Sequence, residues 1–489
     1  MADYPTPENK EKKNGARQEV AVVAVSFPAQ SHLNSLLHLC RRISTYNLPI
    51  YYVGAATHIL QAKARIHGCD PSAIANLHFH EFPTPPFPKI STDSNSSGKF
   101  PSHLLPMFME ILPRFHEPLL TLVKKLSAEN DIKKVVIVFD ALMTSVVHDI
   151  HQSFPNVECY SFQSIPAFFM YSFFWEATGK REILPADAAE IMEQLPSMEG
   201  CFSLEFQKFT ESQRRDGNFH SGAIYNTSRI MEGLYLDLVE KSRMFGPDKH
   251  WALGPLSAVF EHEKADSKSP SECLEWLDKQ PPNSVIFVSF GTTCSFSDEE
   301  VKELALGLER SEQRFVWVLR DADTGDIFEG EVRRAELPQG FEERVRERGI
   351  VVREWAPQLQ ILEHCATGGF LSHCGWNSCL ESISLGVPIA AWPMHSDQPR
   401  NAVLITKVLK VGVEVRDWAR REEVVSSVMV EEGVRRLMAS AEGEEMRRRV
   451  AELADSLKQS MVEGGAGRLE MDSFVDHIAC IDIDEQAPN

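Results

Sequence analysis

Several features that define common protein classes are missing from this 489-residue sequence. Its first residues, MADYPTPENKEKKNGARQE, have no apolar core and therefore do not resemble a secretory signal. No stretch approaches the roughly 18 consecutive apolar residues that a transmembrane helix needs. Neither a G-x-G-x-x-G nor a Walker A pattern occurs, which argues against dehydrogenases and P-loop kinases. We therefore expect a cytoplasmic protein without integral membrane association.

Basic residues are too few to balance the acidic ones. The chain has 50 Lys and Arg against 70 Asp and Glu, which gives a formal net charge of −20. This charge argues against nucleic acid as a general partner. The ten cysteines follow no disulfide or common zinc spacing, so we expect reduced thiols and no metal. The D-x-D pair Asp321 and Asp323 lies in an acidic loop and is interpreted as solvated surface.

Apolar strands alternate with helical patterns along most of the chain, and this alternation predicts an α/β fold. One series begins with the strand EVAVVAVSF at 19–27 and a second with SVIFVSFG at 284–291. The charged, Ser-rich segment between the two series is typical of a linker. We divide the chain into a disordered leader (1–18), a first domain (19–254), a linker (255–283), a second domain (284–465) and a terminal helix (466–489).

The 44 residues Trp355–Gln398 are the most informative stretch of the second series. Within it GGFLSHCGW is an apolar strand that ends in a glycine turn, and a helix is predicted from about Ser378. A helix N-terminus presents free backbone N–H groups and the positive end of a dipole, which suit a diphosphate. His373 and Asn377 add polar donors to the same turn.

Other side chains of this stretch suit the rest of a nucleotide. Trp355 offers a flat face for a planar base, and Glu381 can accept hydrogen bonds from paired ribose hydroxyls. Asp397 and Gln398 follow the next strand, where open α/β sheets bind ligands. Ordinary explanations remain open, since the tryptophan can be a core residue, and Ser378 with the glutamate can form a capping box.

A second candidate site lies near the start of the chain. The turn PAQSH places His32 at the end of the first strand and at the beginning of a helix. Imidazole has an ordinary pKa of about 6.5 and can act as a general base near neutral pH. Asp140 ends the strand KVVIVFD, so the two side chains can meet at one edge of the sheet. The alternative is a helix-terminal histidine without a catalytic role.

The pattern from WAPQ through HCGWNS to GVP and DQ resembles the signature box of plant UDP-dependent glycosyltransferases. FPAQSHLNSLL resembles the strand, turn and helix that carry the catalytic histidine of that family, although Ser31 replaces its usual glycine. The resemblance spans residues 19–480 and implies two facing Rossmann-like domains of GT-B type, with the terminal helix returning to the first domain. It also implies an inverting reaction without a metal, with an acceptor site in the first domain.

The resemblance assigns roles to individual residues. It implies that His32 is the base and that Asp140 is its partner. The implied contacts with the UDP-sugar come from Thr292, Trp355, Ala356, Gln358, His373, Trp376, Asn377, Ser378, Glu381, Asp397 and Gln398.

Within the family, FPAQ-HLN, CLES and MHSDQPRNAVLITKVLKVGVEVRDW look most similar to zeatin O-glucosyl- and O-xylosyltransferases. This likeness implies transfer to a small plant metabolite, with a cytokinin hydroxyl as the expected acceptor. Flavonoids or other phenolics are the alternative acceptors, because variable loops build the acceptor pocket. A non-catalytic protein that binds nucleotide-sugars is the alternative of another class. We expect a monomer.

The residues at the end of the box bear on the donor sugar. A carboxylate at Asp397 and an amide at Gln398 suit the equatorial 3- and 4-hydroxyls of glucose. Trp376 lies in the diphosphate turn and faces the same crevice in this interpretation. The resemblance agrees, since a terminal Gln in this box usually accompanies glucose. We expect UDP-glucose as the best donor, UDP-xylose as the second and UDP-galactose as a poor one, unless the glutamine merely caps its loop.

Overall fold

The computed structural model describes residues 19–65, 74–84, 99–179, 184–215, 219–242, 249–257, 259, 272–291, 294, 296–319 and 336–480. The expected leader, residues 258 and 260–271 of the expected linker and the last nine residues, 481–489, lie outside these ranges. So do Thr292, Asp321 and Asp323.

Seven parallel strands form the first sheet, which falls within residues 19–254. They are β1 (Val20–Val25), β2 (Ile50–Ala55), β3 (Leu77–Phe82), β4 (Lys134–Asp140), β5 (Val157–Gln163), β6 (Gly222–Tyr225) and β7 (His250–Ala252). Their order in the sheet is β3-β2-β1-β4-β5-β6-β7. Strand order reverses between β1 and β4, and such switch points are where doubly wound sheets bind ligands.

Helices cover both faces of this sheet, which explains why β1 is apolar throughout and completely buried. The helices are Gln30–Ser44, Ala56–Arg65, Leu105–Ser127, Thr144–Ser153, Ala167–Ala177, Ala186–Glu193, Leu204–Arg215 and Arg229–Ser242.

Six parallel strands form the second sheet. They are β8 (Val285–Ser289), β9 (Arg314–Val318), β10 (Gly349–Val352), β11 (Thr367–Ser372), β12 (Ile389–Ala391) and β13 (Gly412–Glu414). The order β10-β9-β8-β11-β12-β13 places the switch point between β8 and β11. The helices of this part are Glu272–Leu277, Asp298–Ser311, Phe341–Val345, Gln358–Glu363, Trp376–Ser384, Gln398–Val403, Ser427–Ala439 and Ala441–Met461.

One hydrophobic cluster joins the two domains. Phe168 and Tyr235 from helices of the first domain share it with Trp376 and Leu380 from the second. The two switch points face each other across a crevice, because Asn377, which follows β11, donates to the carbonyl of Ser31, which follows β1, at 2.9 Å. None of the helices in the described ranges is long and apolar enough to cross a membrane.

The final helix, Ala466–Ala479, packs on the first sheet although it follows the second in sequence. Its apolar residues Met471, Phe474 and Ile478 belong to the same cluster as β1 and the helix Gln30–Ser44. Phe474 also contacts Tyr160 of β5 edge-on, with ring centroids 5.6 Å apart. This return of the chain connects the domains a second time.

Candidate active site

His32 and Asp140 meet at the switch point of the first sheet. β1 and β4 are neighbours in register, with Val25 opposite Phe139, so the residues that follow them emerge side by side. Nδ1 of His32 lies 2.7 Å from Oδ2 of Asp140. The other carboxylate oxygen accepts from the backbone N–H of Leu142 at 3.0 Å, which fixes the side chain.

The environment of His32 favours its protonated form. Burial alone would lower the pKa of this imidazole, but attraction to Asp140 and the hydrogen bond to it outweigh that effect. Asp397 of the second domain adds a further attraction. The net result is a pKa of His32 raised above its ordinary 6.5. The Asp140 contact also leaves Nε2 as the nitrogen that can take a proton from a substrate.

Sequence reasoning missed Ser164, which also contacts the base. Its Oγ lies 3.0 Å from Nδ1 of His32, beside the carboxylate of Asp140. Ser164 directly follows β5, the strand next to β4 in the sheet. A polar residue immediately after the neighbouring strand was therefore the signal available in the sequence.

The donor turn lies at the switch point of the second sheet. The helix predicted from about Ser378 begins earlier, at Trp376, with Gly375 as its N-cap. Because the cap is glycine, it has no side chain to bond the first-turn amides, and Ser378 lies inside the helix and not at the N-cap, as the alternative of a capping box with Glu381 would require. Cys374 has a left-handed backbone with φ of 63°, uncommon for a residue with a side chain. The open helix N-terminus is suited to an anion.

His373 is packed between two glycines at this turn. A Cβ atom at Gly291 would lie 2.9 Å from its Nε2, and one at Gly375 would lie 2.4 Å from it. Gly291 also has φ of +73°, which disfavours any side chain. Burial lowers the pKa of His373 to about 4. The ring is therefore neutral near pH 7 and can form hydrogen bonds but not carry charge.

The residues expected to bind the nucleoside lie close together. Trp355 is 71% exposed, so its ring face is free for stacking. Ala356 beside it is buried in a hydrophobic cluster, which leaves its backbone as the group that can contact a base. Gln358 donates from Nε2 to Glu381 at 2.7 Å and to Ser378 at 3.2 Å. These bonds orient the carboxylate and the hydroxyl at the expected ribose and phosphate positions.

Asp397 and Gln398 follow β12 and differ in how they are used. Asp397 accepts from Nδ2 of Asn401 at 2.7 Å, and its pKa is raised by burial. The carbonyl of Gln398 accepts from the backbone N–H groups of Met394 at 2.8 Å and His395 at 3.0 Å. Gln398 thus shapes its own loop, and since its Nε2 also lies 3.4 Å from Nδ1 of His395, one of its two amide hydrogens remains for a sugar hydroxyl.

The side chains of Trp376 and Asn377 form hydrogen bonds to the first domain, although both residues belong to the donor turn. The buried indole of Trp376 donates to the backbone carbonyl of Asn226 at 2.8 Å, so the polar group of this ring is bound by the first domain. The side chain of Asn377 donates to the carbonyl of Ser31 at 2.9 Å. Only the backbone of Trp376 is therefore available to a diphosphate.

The arrangement as a whole has a base and an anion site on opposite walls of one crevice. The crevice is narrow beside the base, because Nδ2 of Asn377 in the second domain donates to the carbonyl of Ser31 in the first domain at 2.9 Å. Among the described residues, no group of three or more His, Cys, Asp or Glu side chains could hold a metal ion. Such a site can deprotonate a hydroxyl while it stabilises a phosphate leaving group.

Two parallel-sheet domains with this crevice form the GT-B architecture of glycosyltransferases. Residues 18–258 match the family described as glycosyltransferase, N-terminal domain, and residues 257–433 match UDP-glucoronosyl and UDP-glucosyl transferase. The chain belongs to this UDP-glycosyltransferase family and is an enzyme that transfers a sugar from a UDP-sugar.

Curated relatives are similar along nearly their whole length. The zeatin O-glucosyltransferase of Phaseolus lunatus is 50% identical over 462 residues, covering 94% of this chain and 97% of the relative. The zeatin O-xylosyltransferase of Phaseolus vulgaris is also 50% identical, covering 94% and 98%. A crystal structure of a UGT transferase from Siraitia grosvenorii in complex with UDP has a TM-score of 0.75 and 27% identity, covering 94% of this chain and all of that one.

Proposed function

We propose that this enzyme transfers glucose from UDP-glucose to the side-chain hydroxyl of a zeatin-type cytokinin. The observation that carries this proposal is the 50% identity, over 94% of the chain, to a zeatin O-glucosyltransferase. The family implies inversion at the anomeric carbon, and we propose that no metal takes part. The monomeric state and the cytoplasmic location stay predictions.

We infer that His32 is the general base. Its Nδ1–H donates to Asp140 at 2.7 Å, which leaves Nε2 to accept the proton of the acceptor hydroxyl. The oxygen then forms a bond to the anomeric carbon as the bond from that carbon to UDP breaks. The carboxylate of Asp140 stabilises the imidazolium that results, and Ser164 limits rotation of the ring.

The leaving diphosphate is stabilised at the donor turn in this proposal. The first amides of the helix Trp376–Ser384 have no side-chain cap and point a positive dipole end at the phosphates. Neutral His373, Asn377 and Ser378 add hydrogen bonds, and Thr292 is the further contact expected from the sequence. Trp355 would stack on uracil and Glu381 would accept from the ribose hydroxyls.

Sugar selectivity rests on the loop after β12. We propose that Asp397, held by Asn401, accepts from two adjacent hydroxyls of the hexose, while the NH₂ group of Gln398 donates to one of them. UDP-xylose is the second candidate donor, because a zeatin O-xylosyltransferase is equally similar to this chain at 50% identity. Xylose has the same 3- and 4-hydroxyls and lacks only the 6-CH₂OH group.

A matrix of donors and acceptors tests the proposal. Purified enzyme is incubated with UDP-glucose, UDP-xylose or UDP-galactose and with zeatin or a panel of flavonoids and simple phenols. Products are identified by mass spectrometry, and kcat/KM is measured for each active pair. We expect zeatin with UDP-glucose to give the highest value, followed by UDP-xylose. A preference for galactose would refute the donor assignment, and a better phenolic acceptor would refute the cytokinin assignment.

Gln398→Ala separates a sugar contact from a loop-shaping role. A sugar contact predicts that glucose transfer falls more than affinity for UDP, because UDP lacks the hexose. If the glutamine only shapes the loop, transfer from all three donors should fall in parallel.

A further inference from the structure

We propose that Ser35 and Asn226 are positioning residues that hold the helix of His32 against the helix of the donor turn. Both side chains are buried, and neither of them has a role in the reaction proposed above. The proposal rests on the proposed function, because the group that is positioned is the base of that reaction. The two residues belong to a chain of hydrogen bonds that connects the helix of His32 with the helix of the donor turn.

Asn377 forms the first part of this connection, because its side chain bonds to the first turn of the helix Gln30–Ser44, which carries His32. Its Nδ2 donates to the carbonyl of Ser31 at 2.9 Å, and its Oδ1 accepts from the hydroxyl of Ser35 at 2.9 Å. Ser31 and Ser35 flank His32 at one residue before and three residues after it. Since an amide nitrogen carries two hydrogens, one remains for a diphosphate oxygen. A single side chain can therefore touch the donor and fix the base.

The hydroxyl of Ser35 is the centre of the connection on the helix Gln30–Ser44. It lies within reach of the carbonyl of Ser31 at 3.0 Å and of Asn377 at 2.9 Å. The carbonyl of Ser31 already accepts from the side-chain amide of Asn377. The single hydroxyl proton of Ser35 is therefore assigned to the hydrogen bond with Oδ1 of Asn377. Ser35 also accepts from Nδ2 of Asn226 at 3.3 Å.

Asn226 follows β6 and joins three segments of the chain. Besides the bond to Ser35, its backbone carbonyl accepts from the indole of Trp376 at 2.8 Å. Its Oδ1 accepts from the backbone N–H of Leu256 at 2.8 Å, at the start of the expected linker. Two consecutive residues of the donor helix are thus held by the first domain, Trp376 directly by Asn226 and Asn377 through Ser35, which Asn226 also contacts.

This geometry predicts a specific defect when the connection is weakened. Ser35→Ala removes the hydroxyl but leaves the donor turn and the His32–Asp140 contact in place. A displacement of a catalytic group by about 1 Å can cost roughly 10²-fold in rate. We expect the loss of this hydrogen bond to displace His32 by less than that and to lower kcat about tenfold. Affinity for UDP should change by less than about twofold, since the donor helix keeps its free amides.

The test measures kcat per UDP-binding site, with sites counted by calorimetric titration. This normalisation separates misplacement of the base from loss of folded protein, which removes sites but leaves the rate per site unchanged. Ser44→Ala is the matched control, because Ser44 is buried in the same helix and its hydroxyl donates to Arg41 at 2.8 Å, at the far end from His32. We expect its kcat per site to stay within about twofold of the wild type, as for independent sites.

A double-mutant cycle with His32→Ala provides the decisive readout. If Ser35 acts by placing His32, then Ser35→Ala should lower the rate in the wild type and change it by less than about twofold in the His32→Ala background. An equal fall in both backgrounds, or a wild-type rate per site for Ser35→Ala, would overturn the inference. Absence of transfer by the wild type with every donor and acceptor would instead refute the proposed function.

Discussion

His32 and His373 lie at the switch points of the two sheets and have opposite acid–base properties. Each follows one of the two strands that flank the switch point in its sheet, β1 and β11 respectively. The carboxylate of Asp140 lies 2.7 Å from His32, and the pKa of that ring is raised above 6.5. His373 is packed against Gly291 and Gly375, and burial lowers its pKa to about 4.

The difference shows that the neighbours of a histidine, more than its place in the fold, decide its chemistry. With a buried carboxylate beside it, His32 can take up a proton during the reaction. Without one, His373 stays neutral, and the donor turn stabilises anions through backbone amides and hydrogen bonds. One fold thus provides a proton acceptor on one wall of the crevice and a neutral anion site on the other.

The largest effect is expected from His32→Ala. We predict that kcat falls by about 10²- to 10⁴-fold, the usual contribution of a general base, while UDP still binds with nearly wild-type affinity. Steady-state kinetics and UDP titration measure the two quantities. His148→Ala is a matched control, because His148 also contacts an aspartate, Asp149 at 2.9 Å, on the surface of the same domain. Wild-type turnover of His32→Ala would refute the base assignment.

Asp140→Asn should lower kcat less than His32→Ala does, and it should shift the pH profile of kcat/KM. Loss of a hydrogen bond to a charged group typically costs about 1.5–3 kcal/mol, so we expect kcat to fall roughly 10- to 100-fold. Removing the carboxylate also removes the attraction that raises the pKa of His32. The base then stays neutral to lower pH, and the acid limb of kcat/KM should shift to lower pH.

The control for this prediction is Asp149→Asn, which neutralises the exposed aspartate beside His148. Its profile should coincide with that of the wild type. An acid limb that stays in place in Asp140→Asn would show that another group is responsible for it.

His373→Asn is expected to act on donor affinity and not on the pH profile. Loss of one hydrogen bond to the diphosphate should weaken UDP binding about tenfold. Because His373 is neutral above its pKa of about 4, the acid limb near neutral pH should not move. The control is His58→Asn, another buried histidine with a pKa lowered to about 4. A shifted limb in His373→Asn would mean that the two histidines share one titration.

Chelation should have no effect in this account. The diphosphate is stabilised by the uncapped helix N-terminus and neutral side chains, so full activity is expected in excess EDTA. Initial rates with EDTA, and after readdition of Mg²⁺ or Mn²⁺, provide the measurement. Activity that is lost on chelation and restored by the metal would revive a role for Asp321 and Asp323.

Much of the fold was predictable because its strands are long apolar runs. EVAVVAVSF and KVVIVFD were predicted as strands, and the structure has strands at Val20–Val25 and Lys134–Asp140 within these segments. The three-residue strand β13 was not predicted, because so short a segment has no periodicity of its own. The helix of the donor turn begins at Trp376, two residues before its predicted start, because a glycine can serve as the N-cap.

The local parts of the candidate site were predictable and its long-range contacts were not. His32 and Asp140 could be paired because residues that follow parallel strands meet at one edge of a sheet. The contact of Ser35 with Asn377 joins residues 342 positions apart, and no sequence pattern in either segment predicts it. The hydrogen bond from Trp376 to Asn226 could not be predicted for the same reason, since the two residues lie in different domains.

The opposite titration of the two histidines is tested most directly by NMR of enzyme labelled with ¹³C at histidine Cε1. His32→Gln and His373→Gln assign the two signals, and the wild type is then titrated from alkaline to acidic pH. We predict that the signal of His32 titrates above pH 6.5 and that the signal of His373 stays in its neutral position until about pH 4. Two signals that titrate together near pH 6.5 would contradict the account.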